Sequence, residues 1–128
     1  MAKTKEEIYA YNHQHLQTLH GRLVKTKINA SGSAKKRGQE FNLTTEDMWT
    51  LWNRQNGLCA FTGWPMGTFT KTRTLLSLDR IDNSRGYTMD NCMLVCWCAN
   101  KARSDMGRDE FVKMCKDVAN HNHYWTNQ

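Results

Sequence analysis

Two short apolar runs, Leu75 to Ile81 and Met93 to Cys96, enclose the stretch Asn83-Ser84-Arg85-Gly86. That stretch carries the Asn and Gly residues that tight turns need. The runs have strand length, and the residues from Ala99 onward (Ala, Lys, Arg, Met) favour a helix. The order strand, turn, strand, helix allows few arrangements of so short a segment. Such a ββα unit brings an acid on the first strand, Asp79, close to an amide at the start of the helix, Asn100. An oxygen-rich pair of this kind suits a hard divalent cation and a phosphate diester.

The segment reads SLDRIDNSRGYTMDNCMLVCWCAN, and upstream of it stands Cys59-Ala60-Phe61-Thr62-Gly63-Trp64-Pro65-Met66. The ordered series C-x-x-T-G, D-R-I-D, G-Y-x-x-x-N and C-x-x-x-N resembles the HNH, or His-Me finger (ββα-metal), endonucleases. It is most similar to the small phage-type members with D-R-I-D in place of D-H. The resemblance runs from about Phe41 to Cys115. It implies a small, mostly helical α+β domain around one ββα-metal finger, and metal-dependent cutting or nicking of DNA. It also implies roles: Asp79 and Asn100 as ligands of Mg²⁺ or Mn²⁺, Asp79 and Arg80 in catalysis, and Asn91 as the residue that holds the hairpin loop for the site. Arg103, three residues after Asn100, stands where relatives often carry Lys. On a helix it would share a face with Asn100 and could meet a phosphate.

Arg80 departs from the family's usual His, the residue that takes a proton from the attacking water. A guanidinium stays protonated and cannot do this. It can grip a phosphate oxygen and stabilise developing charge. The proton acceptor is therefore open among Asp82, Tyr87, and His13, His15 and His20. Asp82 shares the strand face of Arg80 by the period-2 rule and could instead orient it.

Length places the chain, residues 1–128, as one domain. Its net charge of +6 suits a polyanionic partner, DNA under the family resemblance. The excess is uneven: residues 1–40 hold eight Lys/Arg against three acids. This divides the chain into a basic N-terminal helix and arm, residues 1–40, and a nuclease core, residues 41–120. The apolar spacing of Ile8, Tyr11, Leu16, Leu19, Leu23 and Ile28 predicts one helix from about Lys5 to Ile28. Asn29-Ala30-Ser31-Gly32-Ser33 reads as a break and hinge. Lys35, Lys36 and Arg37 then form a basic run suited to phosphate contact.

Thr44 with Asp47 predicts a capped helix whose apolar face is Met48, Leu51 and Trp52. A last helix, Arg108 to Ala119, would turn Phe111, Val112, Cys115 and Val118 inward. His121 and His123 fall in an aperiodic tail. An apolar run of membrane-span length and an export signal are both missing, which suits the cytoplasm. The five cysteines, Cys59, Cys92, Cys96, Cys98 and Cys115, are odd in number, which disfavours a disulfide scaffold. Relatives build zinc sites from two C-x-x-C pairs. Here Thr62 and Ala99 stand in the second positions, so buried packing thiols are expected rather than structural zinc. Two rivals to the endonuclease follow: a DNA-binding protein that kept the finger without catalysis, and a zinc-stabilised interaction module.

Overall fold

A computed structural model describes residues 2–16 and 18–126, leaving out the side chains at 12, 13, 16 and 124–126. In chain order the elements are α1 (Lys5–Leu16), α2 (Leu19–Arg37), α3 (Thr45–Arg54), β1 (Leu76–Arg80), a 3-10 turn (Met89–Asn91), β2 (Cys92–Cys96), α4 (Trp97–Arg103) and α5 (Arg108–Thr126). The ββα unit forms as the sequence predicts. β1 and β2 pair antiparallel, with Leu76 opposite Cys96, Leu78 opposite Leu94 and Arg80 opposite Cys92. α4 begins directly on β2. Leu94, Val95 and Cys96 are fully buried, and α2, α3 and α4 cover the sheet. The α+β class is as expected.

Three features of the N-terminal third differ from expectation. The single predicted helix is two helices. Thr18 caps the second, its hydroxyl accepting from the Gly21 N–H at 3.0 Å. Gly21 is required there, because a Cβ would lie 2.1 Å from the His15 carbonyl oxygen. The predicted hinge at residues 29–33 is helical. Ala30 and Ala34 on α2 are buried with Leu23 at spacings of one helix face. That packing outweighs the turn preference of Ser31, Gly32 and Ser33. The run Lys35-Lys36-Arg37 is therefore the last turn of α2 and not a mobile arm. Its cations sit at the negative end of the helix dipole, and Gly38 (φ 65°) closes the helix in the left-handed conformation.

α3 starts as predicted, with a reciprocal capping box between Thr44 and Asp47. The Cys59–Met66 knuckle is laced by backbone bonds. The Cys59 Sγ accepts from the N–H of Cys96 at 3.1 Å and of Thr62 at 3.5 Å. Cys59, Cys92 and Cys96 are buried, and Cys98 is half-buried. α5 is longer than predicted and takes in His121 and His123. Only Phe111 of its expected inner face is buried, edge-on to Phe61 at 5.0 Å; Cys115 and Val118 are exposed. No helix among the described residues is long and apolar enough to cross a membrane.

Candidate active site

The loop after β1 is where the fold brings its separate parts together. Asn91, 1% exposed, staples it: its side-chain oxygen accepts from the Asp82 N–H at 2.9 Å, and its amide nitrogen donates to the carbonyls of Asp82 (3.0 Å) and Gly86 (2.8 Å). Both amide hydrogens and the side-chain oxygen bond to backbone, so it positions the loop. Gly86 lets the loop close on the chain after α2, because a Cβ there would meet the Glu40 carbonyl oxygen at 2.5 Å. The Tyr87 N–H then donates to that carbonyl at 2.8 Å. This docking carries Gln39 to the end of β1.

Gln39 is what fixes Arg80. The Arg80 Nη1 donates to Gln39 Oε1 at 2.6 Å and to the carbonyls of Asn83 (2.9 Å) and Arg85 (3.0 Å). The guanidinium lies 5.0 Å above the Tyr87 ring, a cation–π geometry. Nη1 is fully engaged, while Nε and Nη2 have no protein partner among the described residues. Asp82 does not orient Arg80. Its exposed carboxylate turns back to the Ser84 hydroxyl (2.7 Å) and N–H (2.9 Å), which hold its pKa below the usual carboxylate value.

Asp79 projects from β1 into the same region. Its Oδ1 accepts from the Arg80 N–H at 2.9 Å. Its Oδ2 is buried, faces the Arg103 guanidinium at 2.7 Å, and takes no well-aligned hydrogen bond. Asn100, on α4, donates from Nδ2 to the Ser77 hydroxyl at 2.8 Å, which leaves Oδ1 as a free acceptor among the described residues. Asp79, Arg80 and Asn100 line one polar cleft of about 460 Å³, together with Arg37, Asn83, Tyr87 and Asp105.

Arg103 is a correction. It is fully buried, and its donors are spent on the carbonyls of Arg80, Ile81 (3.1 Å) and Met106 (2.8 Å), besides the pair with Asp79. It clamps α4 to the end of β1 and presents nothing to a phosphate. Of the basic run only Arg37 reaches the cleft; Lys35 and Lys36 are exposed away from it. His15 stacks on Tyr11, and His20 accepts from the Trp49 indole at 3.1 Å; neither lines the cleft. The expectation for the His13 side chain lies outside the described residues. Asp105 and Gln39 were missed from sequence. Neither belongs to a motif, and only the folded loop shows what they approach.

No protein-family model matches the chain. It is 28% identical over 92 residues, 72% of its length, to an uncharacterized protein of Acanthamoeba polyphaga mimivirus, and spans 16% of that protein. Among solved structures it resembles the rare-cutting HNH restriction endonuclease PacI, reported for its perturbation of DNA. The TM-score is 0.58 over 81% of each chain, at 20% identity. The chain thus has an HNH-like fold.

Proposed function

We propose that this protein is a metal-dependent endonuclease that cuts or nicks DNA. The observation that carries the reading is the convergence of Asp79 from β1, Asn100 from α4 and Arg80 in one polar cleft. The HNH-like fold and the net charge of +6 support it. Among the described residues no cluster of three or more His, Cys, Asp or Glu side chains could hold a metal. The donors are one carboxylate and one amide oxygen. That set fits Mg²⁺, or Mn²⁺, which binds through one or two protein oxygens and keeps several waters for exchange with phosphate. Asp79 and Asn100 would hold the ion, which when bound supplies charge stabilisation at the leaving oxygen.

The chain's own residues do the rest. Arg80, pinned through Nη1, offers Nε and Nη2 to a phosphate oxygen and stabilises charge as it develops there. Its position is set before substrate arrives, so little reorganisation is needed. Asn91 keeps the loop beneath it in shape. Arg37 adds a second cation at the cleft wall. The proton acceptor belongs to the cleft lining, where Asp105 is the carboxylate besides Asp79. A carboxylate can accept a proton from water as its attack develops, which Arg80 cannot do.

The substitution of Arg for His favours one alternative, a DNA-binding protein with the finger and impaired catalysis. Plasmid incubated with Mg²⁺, Mn²⁺ or EDTA separates the two. Cutting that requires the metal supports the endonuclease; binding without cutting under any of the three supports the alternative.

A further inference from the structure

A second cleft, of about 450 Å³, adjoins the first and shares Arg37, Leu78, Tyr87 and Asn100 with it. One wall is a stripe of α2: Arg22, Thr26, Asn29, Ser33 and Arg37 recur every three or four residues and so lie on one helix face. Lys101 of α4 closes the opposite side, and no Asp or Glu is among the lining residues. The stripe is polar throughout: Arg22 is buried, Thr26 and Ser33 are half-buried, and Asn29 and Arg37 reach solvent.

Arg22 is the telling member. It is 9% exposed, its Nε is buried with no hydrogen-bond partner, and no carboxylate lies within ion-pair distance of it among the described residues. A charged group held largely out of water without a partner loses hydration and gains no ion pair in return. Burial also pulls its pKa below the ordinary value. Packing alone does not account for a cation here, since Met would fill the space without the charge. An anion entering the cleft would.

We propose that Arg22, with Arg37 and Lys101, forms a phosphate subsite for the DNA strand held at Asp79 and Asn100, taking a phosphate that flanks the one to be cut. The proposal rests on the endonuclease reading for the identity of the strand. The shared lining residues make the two clefts one continuous track. Thr26, Asn29 and Ser33 supply neutral donors to the same backbone. A contact to the phosphate backbone carries no base information, so the subsite would grip without regard to sequence.

The test uses the full chain and a short mixed-sequence DNA duplex in EDTA, with affinity measured across a salt series. Arg22→Met should bind about tenfold more weakly. Its plot of log K against log salt should be shallower by about 0.9. Its thermal midpoint should be unchanged or higher, because an unpaired buried charge is gone. Arg22→Lys, which keeps the charge and loses the fork, should retain the salt slope. Unchanged affinity and slope in Arg22→Met, with a lower thermal midpoint, would overturn the subsite and make Arg22 a packing residue, leaving the endonuclease reading intact. Wild-type protein that binds the duplex and never cuts it with Mg²⁺ would instead sink the endonuclease reading. The slope change in Arg22→Met would still establish the subsite.

Discussion

The guanidinium of Arg103 lies 2.7 Å from Oδ2 of Asp79, and both side chains are almost entirely closed to water. This pair ties the β1 acid to the helix that carries Asn100. It holds the Asp79 carboxylate in place, and the same Arg103 Nη1 also donates to the Arg80 carbonyl. Arg103→Met should cost about 3–5 kcal/mol of stability, because it strands a carboxylate and several carbonyls. Arg103→Lys should recover only part of this, since an ammonium cannot reach acceptors on both sides of the fork. Urea unfolding followed by circular dichroism measures both. A loss in Arg103→Met below about 1 kcal/mol, the scale of an exposed pair, would mean that the clamp does not carry the site.

Asp79→Asn and Asn100→Ala test the metal reading. Each should raise the Mg²⁺ concentration needed for half-maximal plasmid cutting by about 10- to 100-fold or more, as losses around metal sites do. The Asp79 change should be the more severe, because it removes the anionic one of the two proposed donors. Equal Mg²⁺ dependence in wild type and both variants would remove these two residues from the metal site.

The finger was legible because its signals are local. Two apolar runs, a turn and a run of helix formers need nothing beyond their own neighbours to be read. The hinge at residues 29–33 was misread because Ser31, Gly32 and Ser33 speak for a turn while Ala30 and Ala34 speak, more weakly in sequence, for a buried helix face. Only the packing of α2 on the sheet decides between them. Arg103 was misread for a similar reason. Its spacing from Asn100 is right for a shared face, but the loop bearing Asn83 folds over Arg103 and takes up its donors. Asp105, Gln39 and Arg22 could not be found by spacing, since each acts across a contact between distant segments.

Within the basic run the fold separates Arg37 from its neighbours. Arg37→Ala should weaken duplex binding and flatten the salt dependence of log K by about 0.9, one phosphate contact. Lys35→Ala with Lys36→Ala should change the slope less than two contacts would, because neither lysine lines the cleft. Fluorescence anisotropy over a salt series gives both slopes. A larger effect from the lysine pair than from Arg37 would place the DNA on the outer face of α2 instead.

Neither His15 nor His20 reaches the cleft. The rate of cutting at saturating Mg²⁺ should therefore show no inflection with the pKa of an ordinary imidazole, about 6.5. Single-turnover rates between about pH 6 and 8 check this. An inflection that vanished in His13→Ala would bring the start of the chain into the mechanism.

Beneath the site, burial pushes the Cys92 thiol up to about 12, and burial first, then the neighbouring Cys59, does the same to Cys96. Cys92 lies directly across the sheet from Arg80. In the unfolded chain both thiols ionise near the ordinary value of about 8.5. Between that pH and about 12 the unfolded state has therefore lost protons that the folded state keeps. The sign follows: the unfolded form binds fewer protons, so stability is full below the ordinary thiol pKa and declines as pH rises through this window. Each such thiol contributes a slope of about 1.4 kcal/mol per pH unit once past its unfolded pKa. Other groups titrate here too, so the comparison is between wild type and Cys92→Ala. The wild type should lose stability more steeply with alkaline pH, and the two curves should run parallel at neutral pH. Curves that stay parallel throughout would show that Cys92 ionises freely in the folded protein, and that the strand under Arg80 is open to water.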